Sequence, residues 1–166
     1  MNLRPDQLAA QLAKPLAPLW VLHGDEPLLV LEAADAIRAA ARKQGFEERE
    51  TLVVGQGFKW ESLAFAAGNL SLFGGARLID LRIPTGKPGR DGGEALQRYV
   101  ASLPDQTLTL VTLPALDWAT RKTAWFKALT EAGHAIELKA PERERLPDWI
   151  ARRLAAQKQS AAPDAL

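Results

Sequence analysis

The sequence predicts an α/β fold, a mostly parallel five-stranded sheet flanked by helices. Three observations predict it. Short apolar runs such as Leu19-Trp20-Val21-Leu22 and Leu108-Thr109-Leu110-Val111 have the length and side-chain types of buried strands. Between them lie segments whose apolar residues recur at three- and four-residue spacing, the mark of an amphipathic helix. Strands and helices alternate regularly along the chain, which is the order that builds parallel sheets through helical crossovers.

Taken in order, Leu3, Leu8 and Leu12 with Pro5 predict a short N-terminal helix, which Pro15 and Pro18 end. The first strand is expected over 19–24. A helix follows at once, with Asp25 as its cap, Pro27 in its first turn and Leu28, Leu31, Ala34, Ile37 and Ala41 as its stripe, until Gly45 stops it. The second strand is expected over 50–54 and the third over 77–83, with a helix from Trp60 to Leu72 between them. Pro84, Gly86, Pro88, Gly89, Gly92 and Gly93 predict a mobile loop over 84–93, and a helix over 94–103. The fourth strand (107–112) and fifth (134–138) enclose a helix over 117–131 that carries Trp118, Trp125 and Leu129. After Pro141 the pattern changes to a charged connector, Glu142 to Pro147, and a new amphipathic helix from Asp148.

Composition narrows the function classes. The 166 residues are 47% hydrophobic and 25% charged, ordinary for one globular domain and the edge of a second. A formal net charge of +1 gives no basic footprint of a dedicated nucleic-acid binder, so contact with DNA is expected to be weak or indirect. With no cysteine, disulfides, thiol catalysis and thiolate metal sites are excluded. No apolar run nears the roughly 18 residues of a membrane span, and residues 1–14 lack the order of a signal peptide, so a cytoplasmic protein away from membranes is expected.

No stretch of the sequence has the pattern of a catalytic site. The strand-to-helix turn His23-Gly24-Asp25-Glu26-Pro27 stands where nucleotide-binding sheets hold phosphate. It has one glycine, no Lys-Ser or Lys-Thr pair, and two carboxylates that repel a triphosphate. Gly86-Lys87 fails too, since Pro88 follows where a hydroxyl residue is needed. An ATPase of this topology carries an acidic pair at the end of its third strand, whereas Asp80 stands alone before Leu81 and Arg82 and reads as an ion pair or strand-edge charge. His23 and His134 are the only histidines and have no ligand spacing. The five tryptophans read as core. No catalytic residue, cofactor or metal is therefore expected.

What remains is the stretch from Asn69 to Gly75. On a helical wheel Trp60, Leu63, Ala64, Ala67 and Leu70 form one stripe, while Phe65, Leu72 and Phe73 point the other way. A second apolar face is either buried in its own fold or offered to another protein. Asn69-Leu70-Ser71-Leu72-Phe73 resembles the clamp-binding motif of bacterial replication proteins, Gln-Leu-Ser/Asp-Leu-Phe, with Asn for the first Gln. Its setting resembles the delta subunit of bacterial DNA polymerase III over nearly the whole chain. The matching stretches are Val21-Leu22-His23-Gly24-Asp25-Glu26-Pro27-Leu28-Leu29, Gln44-Gly45-Phe46-Glu47-Glu48, Ser71-Leu72-Phe73, Ala124-Trp125-Phe126-Lys127-Ala128-Leu129 and Leu146-Pro147-Asp148-Trp149-Ile150.

The resemblance implies an AAA+/RecA-like P-loop NTPase topology without a working phosphate loop over 1–140, and the start of a truncated helical lid domain over 141–166. It implies no chemistry by this chain itself, although the holoenzyme is a DNA-directed DNA polymerase. The implied partners are the sliding clamp (beta subunit), contacted through Leu72 and Phe73 with Leu70 and Ser71 flanking, and other clamp-loader subunits through regions beyond residue 166. Two rival classes stand beside this one. A small Rossmann-like nucleotide-binding enzyme predicts saturable nucleotide binding, and a DNA-binding module predicts strongly salt-dependent affinity.

Overall fold

The computed structural model describes residues 1–68 and 75–165. They form one parallel sheet of six strands: β1 (Asn2–Leu3), β2 (Leu19–Gly24), β3 (Phe46–Val53), β4 (Ala76–Arg82), β5 (Thr107–Thr112) and β6 (His134–Leu138). The spatial order is β1-β6-β2-β5-β4-β3. The helices are α1 (Leu8–Leu12), α2 (Pro27–Lys43), α3 (Glu61–Gly68), α4 (Gly89–Ala101), α5 (Trp118–Arg121), α6 (Ala124–Ala132) and α7 (Leu146–Ala156).

Alternation along the strands sends residues to two cores. Leu19, Val21, Ile79 and Leu81 pack with Leu63 and Ala66 of α3, Leu96 of α4 and Leu129 of α6. Trp20, Leu22, Leu78, Leu108 and Leu110 pack on the other face against Ala34, Ile37 and Ala41 of α2. Side chains of this size gain about 1.5–3 kcal/mol each on full burial, which is why strands buried on both faces carry so few polar residues.

Several expected elements are corrected. The sheet has six strands, not five, because Leu3 leaves the predicted helix and pairs with Ile136 at the edge. Two residues are too few to show a period. Strand β3 begins at Phe46 rather than 50, because its alternation is carried by half-buried charged residues such as Glu48 and Glu50. The helix predicted over 117–131 is two helices, and Asp117 caps the first by accepting from Thr120 N at 2.7 Å. Of the helix expected from Trp60 to Leu72, residues 61–68 are helical, Trp60 stands in the turn before them, and 69–72 lie outside the described residues.

The expected mobile loop over 84–93 is half helix, since α4 starts at Gly89. Gly92 and Gly93 serve close packing. A Cβ on Gly92 would stand 2.5 Å from the Trp60 ring, and one on Gly93 would stand 3.2 Å from Trp125. Trp118 also departs from the core expectation: it is 72% exposed, with Lys122 Nζ 3.3 Å from its ring centroid.

After β6 the chain continues into α7. Arg153 of α7 pairs with Glu32 of α2 and lies 4.7 Å from the centroid of the Trp149 ring. The carboxylate of Asp25, expected as the cap of α2, instead accepts from Ala140 N at 3.3 Å, and Glu26 takes the cap position without a side-chain bond.

Candidate functional site

In open α/β sheets ligands bind beyond the carboxyl ends of the strands, where the strand order reverses. Here that place is the turn from β2 into α2. Gly24 has φ +154°, and a Cβ on it would stand 1.7 Å from the carbonyl oxygen of Leu138. The glycine is thus required by the close approach of β6. Beside the turn lies a cavity of 540 Å³ whose walls include Val30, Leu31, Ile83, Pro84, Leu113 and Pro114, with Asp25 at the start of α2. Arg38 and Arg82 also line it, and both guanidinium groups are within hydrogen-bond reach of the buried carboxylate of Asp80. The Gly86-Lys87 amides are also engaged: Gly86 N donates to Ile83 O at 3.0 Å and Lys87 N donates to Thr85 Oγ1 at 3.2 Å.

Asp80 is fully buried on β4, and its Oδ2 accepts from three guanidinium groups. Arg38 of α2 donates from Nε at 3.0 Å and lies 2.8 Å away through Nη2. Arg49 of β3 donates at 2.8 Å and Arg82 at 3.4 Å. Arg38 also holds Asp35 at 2.7 Å. The buried carboxylate is therefore compensated by cations of the chain itself. The expected ion pair is present, but Arg38 and Arg49 were missed: Arg38 sits inside an apolar stripe, and nothing in a single sequence marks it as a partner for a residue 42 positions away.

His23 and His134 are not brought together into a site. His23 meets the Phe126 ring edge-on at 5.3 Å, and His134 meets Trp20 at 5.0 Å. Burial pushes the His23 imidazole below its ordinary 6.5; nearby Glu137 opposes this, and Arg121 and Lys139 add to it. Burial also lowers His134, helped by the N-terminal charge. No group of three or more His, Asp or Glu among the described residues has the geometry of a metal site. No helix among them is long and apolar enough to cross a membrane.

The clamp-motif residues Leu70, Ser71, Leu72 and Phe73 lie outside the described residues, but both ends of their stretch are defined. On its N-terminal side α3 buries Leu63 and Ala66 and leaves Phe65 69% exposed, so two apolar directions are present as expected. Ala64, expected on the buried stripe, is exposed, because Ala66 takes the position against the sheet. On the C-terminal side, buried Arg77 of β4 donates from Nη1 to the carbonyl of Ala66 at 2.6 Å. A groove of 1090 Å³ runs between α3 and α4 over Trp60, Leu63, Ala67, Tyr99 and Leu103, and Gly68 stands on its rim.

A parallel sheet in this order, with helices on both faces, has an AAA+-like topology, and its β2-to-α2 turn carries one glycine and two carboxylates. The particular family is shown by its model: residues 20–139 match DNA polymerase III, delta subunit, and the chain belongs to that family. It is 33% identical over 153 residues to DNA polymerase III subunit delta of Escherichia coli K12, covering 92% of this chain and 45% of that protein. It is 28% identical over 165 residues to the Haemophilus influenzae subunit of the same name, covering 98% of this chain and 48% of that one. The chain thus spans about half the length of these curated relatives.

Among solved structures, the DNA clamp loader delta protein of Bacillus subtilis superimposes with a TM-score of 0.72 at 19% identity, covering 97% of this chain and 50% of that one. A DNA polymerase III gamma subunit-related protein of Thermotoga maritima gives 0.52 at 8% identity, covering 94% and 54%. At these identities the likeness is one of fold.

Proposed function

We propose that this chain is the clamp-contacting part of a clamp-loader delta subunit, which binds the sliding clamp through Leu72 and Phe73 and helps to open it for loading onto DNA. The observation that carries the reading is the motif Asn69-Leu70-Ser71-Leu72-Phe73, set between α3 and β4 of a chain of the delta family. Residues 1–140 are the ATPase-like domain and 141–166 begin a helical lid. Other loader subunits are further partners, and DNA is met only weakly or indirectly. The protein works in the cytoplasm.

Burying a leucine and a phenylalanine in an apolar cleft offers about 1.5–3 kcal/mol each, the size of a binding hot spot. That energy opens a clamp only when the open form binds the pair better than the closed form, since equal binding shifts no equilibrium. Replacing both residues by alanine (Leu72→Ala with Phe73→Ala) is expected to abolish binding to purified sliding clamp in a calorimetric titration while the circular dichroism stays native. Retained affinity sinks the reading.

A further inference from the structure

Arg77 is the second residue of β4 and is buried, an unusual place for a charged side chain. Its guanidinium lies between two sets of acceptors. Nη1 donates to the carbonyl oxygen of Ala66 at 2.6 Å in a buried hydrogen bond. Nη2 reaches Glu48 Oε2 at 3.4 Å, and Nη1 stands 3.8 Å from Glu50 Oε2, both on the neighbouring strand β3. Ala66 lies in the last turn of α3, where helix carbonyls lack partners within the ladder and a cation also opposes the helix dipole favourably. The carboxylates of β3 hold the fork, and the fork holds the end of α3.

The two ends of this hydrogen bond are 11 residues apart in sequence, and the motif from Asn69 to Phe73 lies between them. We infer that Arg77 is a positioning residue for clamp binding. By tying the last turn of α3 to the sheet it fixes the base from which the motif is presented, so less freedom is lost when the clamp takes hold. The inference rests on the clamp-binding reading above. It assigns Arg77 no contact with the clamp.

The test compares the protein with peptides. In the whole protein, Arg77→Met removes the donors at similar length and is expected to weaken binding to purified sliding clamp about tenfold by calorimetry. Arg77→Gln, which keeps one neutral donor, is expected to weaken it about threefold. In synthetic peptides spanning residues 66–77, where there is no sheet to be tied to, the Arg and Met forms are expected to bind the clamp within twofold of each other. Wild-type affinity in whichever protein variant folds overturns the inference. So does an equal loss in the peptide, because Arg77 then touches the clamp directly. If the Leu72→Ala/Phe73→Ala protein loses binding while the Arg77 variants retain it, the positioning role alone fails. If that double variant retains binding, the clamp reading itself fails and takes this inference with it.

Discussion

Arg38 and Asp80, 42 positions apart in sequence, meet through two guanidinium nitrogens at 3.0 and 2.8 Å, and the carboxylate is completely shielded from solvent. The pair joins α2 to the middle of the sheet. Removing one member of a buried pair is costly mainly because the other is left uncompensated. Asp80→Ala leaves buried Arg38 beside Arg49 and Arg82 with Asp35 as its remaining carboxylate partner, and is expected to cost about 3 kcal/mol. Arg82→Ala removes a longer contact from a half-exposed side chain and is expected to cost under about 1 kcal/mol. Urea unfolding of the two variants checks the order; equal losses would show that Asp80 is not the centre of this cluster.

Gly24 supplies the second expectation. Its missing Cβ would stand 1.7 Å from a backbone oxygen of β6, a clash that no rotamer change relieves. Gly24→Ala is therefore expected to cost about 3 kcal/mol or more. Gly55→Ala meets nothing within 4 Å and is expected to stay within about 0.5 kcal/mol of wild type. Denaturant midpoints of the two variants measured side by side decide it.

The same glycine shows how far the sequence could be read. Strands β2, β5 and β6 were legible to the residue because their apolar runs are short, β-branched or leucine-rich, and sharply bounded. The turn's lone glycine and its carboxylates Asp25 and Glu26 stand in the sequence itself. That Gly24 is held by β6 was not legible, because the approach is made by a residue more than a hundred positions away. Gly92 and Gly93 read as loop residues since local propensity cannot register an aromatic ring resting on a helix. Arg77 and Arg38 escaped for the same reason: a charged residue announces its burial only through partners that folding brings to it. The motif at 69–73 was read by resemblance, which needs no tertiary information.

Gly92 and Trp60 make a third test. A Cβ at Gly92 would meet the Trp60 ring at 2.5 Å, and that ring stands at the entrance to α3. Because Trp60 is half-buried, its ring has room to shift toward solvent. Gly92→Ala is thus expected to cost about 1–3 kcal/mol and to red-shift the tryptophan emission. The same emission shift in Gly92→Ala made on a Trp60→Leu background would show that another tryptophan reports the change.

A nucleotide test separates the clamp reading from the enzyme reading. With Gly24 closed by Leu138, and Arg38 and Arg82 of the cavity beside it turned to Asp80, millimolar Mg-ATP is expected to leave the melting temperature unchanged. A ligand at a hundred times its Kd stabilises by about 2.7 kcal/mol, a shift of several degrees for a domain of this size. A saturable rise in melting temperature would restore the enzyme reading.

Acid is expected to destabilise the fold in two stages. His23 and His134 both lie below their ordinary 6.5, chiefly through burial, so the unfolded chain binds protons there before the folded one does. Their contribution is fully present above that value and is lost as pH falls from it toward the depressed folded values. Glu32 and Glu137 lie below their ordinary 4.5: hydrogen bonding from Arg153 lowers Glu32, and at Glu137 burial, the largest single influence, pushes up but is outweighed together by the hydrogen bond and charge of Arg121 and the charges of Lys139 and His23. Their contribution is present above that value and falls away in a second, more acid stage. Urea midpoints followed from about pH 8 to about pH 3 should therefore decline in two limbs, each titrating group adding at most about 1.4 kcal/mol per pH unit. In His23→Asn the upper limb should shrink while the lower one remains. A wild-type midpoint that stays flat until the carboxylate limb would mean that neither imidazole is held neutral by the fold.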